Sequence, residues 1–196
     1  MTTTPAAPAT NRPATDLPTG AGPVTVRRYW VEVQGARHTP ERLLEYMLTH
    51  LDRVSPNLLA RFTHEQGRMR APQLGDTYHI QMLLLRPAYV RLEARSDLTV
   101  RLRTLRPHPE SGWIEYRVHP QGPGHYRIEI ESRVRSSNAL DRAAYLLGVS
   151  FAQRLTWEIT MRRVARASGG HVIRNGQSTE EHAWPLDPSF PRGTLR

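Results

Sequence analysis

The sequence predicts an α+β fold, a curved antiparallel sheet of about six to seven strands wrapped on a long C-terminal helix. One or two short helices follow the first strand. Three observations predict this. Hydrophobic periodicity alternates between the strand and helix repeats along the chain. The stretch from Asp76 to Arg135 reads as successive strands with short connections, which implies an antiparallel meander. Ala139 to Ala167 reads as one long helix, with Gly169-Gly170 as its stop signal.

Each element has its own justification. "VTVRRYWVEV", Val24 to Val33, has the β-branched and aromatic content of a strand. In "HTPERLLEYMLTHLDRV", Thr39 can cap a helix and Pro40 fits its first position. Leu43, Leu44, Met47, Leu48 and Leu51 form one apolar stripe on that helix. Pro56 ends it, and "NLLARF", Asn57 to Phe62, reads as a second short helix. The strands "DTYHIQMLLL", "AYVRLEARS", "DLTVRLRTL", "GWIEYRV" and "HYRIEIESRVR" follow. In the last helix Leu140, Ala144, Leu147, Phe151 and Leu155 recur at threes and fours and are expected to face the sheet. Gly148 on that flank allows a close approach.

The ends read differently. Residues 1–22, rich in Thr, Pro and Ala, have almost nothing to bury and are expected to be disordered. Glycine and proline punctuate residues 169–196, which are expected to form a flexible tail. The folded domain is then 23–168.

The stretch "GHYRIEIESRVR" poses a functional choice between a basic ribbon for nucleic acid and one wall of a sheet. Sorted by parity, Tyr126, Ile128, Ile130, Ser132 and Val134 share one face, and His125, Arg127, Glu129, Glu131 and Arg133 the other. The neighbouring strands sort the same way. Arginine and glutamate interspersed so evenly read as a solvated ladder of cross-strand ion pairs. The formal net charge of +9 raises the case for a polyanionic partner. All 27 basic residues are arginine, so arginine is the default surface cation here and its abundance says less than usual. Nucleic-acid binding through surface arginines stays as a less favoured alternative.

Chemistry-bearing motifs are few. The chain has no cysteine, which excludes disulfides, thiolate catalysis and cysteine-based metal sites. The nine histidines show no metal-ligand spacing, so no metal and no cofactor are expected. No glycine-rich phosphate loop or nucleophile elbow occurs. His108 and Glu110 could pair as a loop acid and base, but two prolines make that segment read as a turn. The N-terminus lacks a secretory pattern and nowhere do about 18 apolar residues run together, so no membrane span and a cytoplasmic location are expected.

The inner sheet face is aliphatic with a few hydroxyls, Tyr78, Tyr116, Tyr126 and Ser132, beside Met82 and Ile128. An apolar enclosure with a few polar anchors suits a small-molecule pocket, and equally a filled core. Phe151 and Leu155 are placed over Tyr116, Tyr126 and Ile128. Arg154, Glu158 and Arg162, spaced by four, form a flanking ion-pair ladder or a charged cavity mouth, for which Arg154 and Glu158 are the candidates.

This arrangement resembles the helix-grip superfamily, the START-like, polyketide-cyclase-like and plant-allergen-like binders of lipids and small molecules. The likeness covers about Pro23 to Ser168. Within it, "TLRPHPESGWIEYRV", "RIEIESRVRS" and "LGVSFAQRLTWEITMRR" resemble an uncharacterised bacterial and plant family, domain of unknown function nineteen-ninety. Arg106-Pro107 precede His108 where a glycine is expected to adjoin the histidine. The superfamily resemblance implies a cavity between sheet and C-terminal helix that takes an apolar or lipid-like ligand, in a monomer or homodimer. A cyclase or hydratase in the same cavity, with tyrosines as acid and base, remains an alternative, and no catalytic residue is assigned.

Overall fold

The structure is a computed structural model that describes residues 12–56, 60–66, 72–82, 87–144 and 150–190. Eight strands form one antiparallel sheet: β1 (Ala21–Gln34), β2 (Ala60–Gln66), β3 (Thr77–Met82), β4 (Pro87–Arg95), β5 (Thr99–Leu105), β6 (Glu110–Gly122), β7 (His125–Ser136) and β8 (His171–His182). Their order across the sheet is β2-β3-β4-β5-β6-β7-β1-β8. The meander expected from the short connections thus runs from β2 to β7, and β1 joins its far side. Among the described residues four α-helices, α1 (Pro40–Thr49), α2 (Leu51–Val54), α3 (Ala139–Ala144) and α4 (Ser150–Ala167), accompany the sheet.

Cross-strand rows show how sequence parity becomes a core. Val100, Tyr116, Ile130 and Tyr29 stand side by side on β5, β6, β7 and β1, and Gln177 of β8 ends the row. Val118, Ile128 and Val31 form the next row, which ends on Asn175. The inner face is therefore apolar over the meander and β1 and turns polar at β8. Leu43, Leu44, Met47 and Leu48 of α1 are buried on it, as their stripe predicts. Thr39 caps α1 by accepting from the Arg42 N–H at 3.4 Å, and Pro40 begins it.

Four expectations are corrected. Ala60 to Phe62 lie in β2, not in a second helix; residues 57–59 fall outside the described set. Phe62 and His64 pair across from Ile80 and Tyr78, so strand pairing overrides the helix reading at Ala60 to Phe62.

Residues 169–196 were expected to be a flexible tail, but His171–His182 form β8 along β1, from Val24↔His182 to Gln34↔His171. Almost all β8 side chains are exposed, so no apolar period marks the strand; backbone pairing with the open edge of β1 forms it. The N-terminal tail expected over 1–22 also ends early. Ala14 bridges to Leu105, and Thr15, 3% exposed, bonds Thr104 hydroxyl to hydroxyl at 2.7 Å. Residues 1–11 and 191–196 lie outside the described set.

The fourth correction concerns the last helix. The stripe that includes Leu140, Phe151 and Leu155 does not face the sheet: these residues are 81%, 72% and 38% exposed. Trp157, Met161, Val164 and Ala165 are buried instead. At 3.6 residues per turn, the buried face lies about a third of a turn from the expected one. The expected stripe assumed an uninterrupted helix, whereas α3 and α4 flank residues 145–149, Leu147 and Gly148 among them, which are not described. Beyond Leu155 that stripe continues into Glu158 and Arg162, while Trp157 and Met161 present more apolar area to the sheet.

Candidate functional site

Helix α4 packs against β1, β7 and β8, and its stretch from Arg154 to Arg162 leaves a groove along β1 and β8. Tyr29, Val31 and Met161 give it an apolar floor, Val172, Asn175 and Gln177 of β8 form one wall, and Arg154, Glu158 and Arg162 of α4 form the other. Its volume is about 420 Å³. The groove exists because β8 lengthens the sheet past the width that α4 covers. Asn175 and Gln177 on the inner face of β8 offer the helix little apolar surface to pack on.

Arg154 and Glu158, expected at the mouth of a cavity lined by Tyr116 and Tyr126, lie on the α4 wall of this groove, where the Arg154 Nε–H donates to Glu158 Oε1 at 2.8 Å. The other candidates lie elsewhere. Tyr78, Tyr116, Tyr126 and Ile128 are buried in the core, with Met82 half-buried against it. Ser132 is buried between Arg27 and Ile114 of the flanking strands. The expected cavity lining is thus packed interior, and Phe151 and Leu155 point away from it. The groove residues Tyr29, Val31, Asn175 and Gln177 were missed because β8 was read as tail. The alternation of "YWVEV" was the signal for the first two.

Two buried polar groups also escaped the sequence reading. Beside Ser132, the Arg27 guanidinium donates to Glu110 Oε1 at 3.0 Å, and the Gln153 amide of α4 donates to Glu110 Oε2 at 3.1 Å. The Ser132 hydroxyl and, against Tyr116, the Trp157 indole N–H are each buried without a hydrogen-bond partner among the described residues. At the opposite side of the sheet, His64 Nε2 lies 3.6 Å from Asp76 Oδ2, and its ring meets Tyr78 edge-on at 5.1 Å. The Tyr78 hydroxyl is also buried without a hydrogen-bond partner among the described residues. Burial raises the pKa of Tyr78, reinforced by the Asp76 charge, and burial alone raises that of Tyr116. Both tyrosines therefore stay protonated near neutrality and can donate a hydrogen bond but not act as bases.

The outer face makes the ion pairs expected of it, but at the centre, on β5, β6 and β7, they are buried rather than solvated. Glu115, wholly buried, accepts from Arg101 Nε at 2.8 Å and Arg117 Nε at 2.6 Å. Arg117 reaches on to Glu129 at 2.8 Å and Glu131 at 3.3 Å, and Glu131 accepts from Arg28 at 2.9 Å and Arg133 at 2.5 Å. Burial opposes the charge of Glu131, but the Arg117 and Arg133 charges and the hydrogen bonds to it outweigh burial and lower its pKa. Residues after β8 lie over this face: Trp184 stacks on Arg135 at 4.7 Å and Phe190 on Arg133 at 5.1 Å. Among the described residues no set of three or more His, Asp or Glu side chains is grouped to hold a metal. No helix among them is long and apolar enough to cross a membrane.

Comparison with solved structures identifies this architecture. The KanY protein aligns with 76% of this chain and 100% of its own, at 11% identity and a TM-score of 0.55. One half of the aromatase/cyclase di-domain protein StfQ, from the steffimycin biosynthetic pathway, aligns at 13% identity and 0.52. That match covers 75% of this chain and 51% of StfQ. Norcoclaurine synthase from Thalictrum flavum, in complex with dopamine and hydroxybenzaldehyde, aligns at 11% identity and 0.51, over 74% of this chain and 87% of its own. The chain has the helix-grip fold, which it shares with these structures. No family model matches it and no curated protein does, so the narrower resemblance drawn on the turn at His108 gains no support there.

Proposed function

We propose that the protein binds a small, largely apolar molecule in the groove between α4 and the β1–β8 edge. The observation that carries this reading is an opening of about 420 Å³ with a floor of Tyr29, Val31 and Met161 and polar groups on both walls. Pockets of this size with apolar floors and a few polar anchors are the usual form of small-molecule sites. Norcoclaurine synthase, of the same fold, holds two small aromatic molecules, which agrees with the size of the groove. The proposed unit is a monomer or homodimer.

Titration with the neutral fluorophore N-phenyl naphthylamine tests this. Micromolar binding by the wild type is expected, with at least about a tenfold loss in Asn175→Trp, which fills the groove from an exposed position. Equal binding by both proteins, or none by the wild type, overturns the proposal. Mass spectrometry of gently extracted native protein then identifies the natural ligand.

A second reading, enzymatic, is favoured by one observation: His64, Asp76 and Tyr78 form a largely buried titratable cluster. A histidine beside a carboxylate is suited to general acid and base chemistry. Cell extract incubated with wild type or His64→Gln protein discriminates: a metabolite consumed only by the wild type supports an enzyme, and identical metabolite profiles dismiss it.

A further inference from the structure

We propose that the ligand of the groove is an organic anion, with its acid group held between Arg162, Arg166 and His171 and its apolar body over Tyr29, Val31 and Met161. The proposal rests on the groove reading above and adds the chemical class of the ligand. A second depression, of about 270 Å³, adjoins the groove and is lined by Arg162, Ala165, Arg166, Gly170, His171 and Val172. Arg162 and Val172 belong to both, so the two depressions adjoin along the α4 flank. The first offers apolar floor; the second offers cations.

The charge distribution there differs from that of the sheet's outer face. Arg101, Arg117 and Arg133 are all committed to glutamates. No carboxylate lines the second depression among the described residues. The acid one turn before Arg162, Glu158, is held by Arg154 at 2.8 Å. Arg162 and Arg166 themselves have no ion-pair partner among the described residues.

Spaced by four on a helix, Arg162 and Arg166 stand on adjacent turns with their side chains about 6 Å apart at Cβ. That spacing suits two guanidinium forks converging on one oxyanion, a carboxylate, phosphate or sulfonate. Exposed guanidinium groups gain little from an isolated ion. Binding therefore requires the apolar body beside the charge, and a cationic ligand is repelled.

Two probes of similar aromatic body separate the two halves of the site: neutral N-phenyl naphthylamine and anionic anilinonaphthalene sulfonate. With the wild-type protein at low salt, the sulfonate is expected to bind at least about tenfold more tightly, the gap narrowing at about 0.5 M salt as screening shortens. Arg162→Ala and Arg166→Ala should each shrink the gap, and Arg166→Ala, which lies outside the groove walls, should leave the neutral probe unchanged. Arg61→Ala, an equal charge change on β2, should leave both probes unchanged. Equal affinity of the two probes for the wild type, or equal losses in Arg61→Ala and Arg162→Ala, overturns the anion proposal while the groove reading stands on the neutral probe. Failure of both probes to bind overturns both.

Discussion

Trp157 of α4 meets Tyr116 of β6 edge-on, with ring centroids 6.4 Å apart and planes 72° apart. This contact fixes which side of the helix faces the sheet. Phe151, on another side, is 72% exposed. Trp157→Ala is therefore expected to destabilise the protein by about 3 to 5 kcal/mol, through lost burial and the void left behind. Phe151→Ala should change stability by no more than about 0.5 kcal/mol, as surface substitutions do. Urea unfolding of both variants checks the orientation; a larger loss in Phe151→Ala would reverse it.

The difference between those two residues shows what the sequence carried and what it did not. Strand parity placed Tyr116, Ile128 and Ile130 on the inner face because a period of two is local and rigid. Helix phase is less constrained when apolar residues occur around the cylinder, and here Phe151 and Leu155 compete with Trp157 and Met161. Strand β8 was invisible for another reason: its pairing with β1 is through the backbone, and its side chains have no apolar alternation to read. Because the groove is built from α4 and β8, the sequence reading did not describe it, although Arg154 and Glu158 were singled out for their spacing on the helix.

Glu131 gives the sheet a defined acid sensitivity. Its pKa is below the ordinary carboxylate value of 4.5 because Arg117 and Arg133 outweigh the effect of burial. A carboxyl lowered in the folded state stabilises the fold above that ordinary value and loses the contribution as pH falls through the native one. Denaturant unfolding of the wild type is expected to show stability falling with acid below about pH 4.5. Glu131→Gln should cost about 3 kcal/mol at neutral pH by leaving buried guanidinium groups short of a counter-charge. It should also flatten the acid slope, and an unchanged slope would show that Glu131 does not contribute to it.

Truncation after Gly170 should act more on association than on folding. Nearly all β8 side chains are exposed, so little apolar burial is lost with the strand. Its removal opens the long edge of β1, from Val24 to Gln34, and uncovers the outer arginine–glutamate network beneath Trp184 and Phe190. An unpaired edge of that length is a template for another chain. Light scattering of the truncated protein is expected to show dimers or larger species where the full chain shows fewer. A truncated protein with an unchanged size distribution would mean that β8 is dispensable as an edge cover.

The arginines of the outer face should not bind nucleic acid. Arg101 holds Glu115 at 2.8 Å, and Arg103 holds Glu93 through two bonds of 2.8 Å while also meeting Asp16. Phosphate binding there requires breaking these pairs, and the glutamates left behind would repel the phosphate. Counterion release by free arginines normally gives affinity that falls steeply with salt. Committed arginines release few counterions, so a fluorescent oligonucleotide should show no micromolar binding at about 0.15 M salt by anisotropy. The Arg101→Glu/Arg103→Glu variant should instead lose stability, because Glu115 is buried and would face a second carboxylate in place of its guanidinium partner. Micromolar oligonucleotide binding by the wild type that disappears in this variant, with the fold intact by circular dichroism, would restore the nucleic-acid reading.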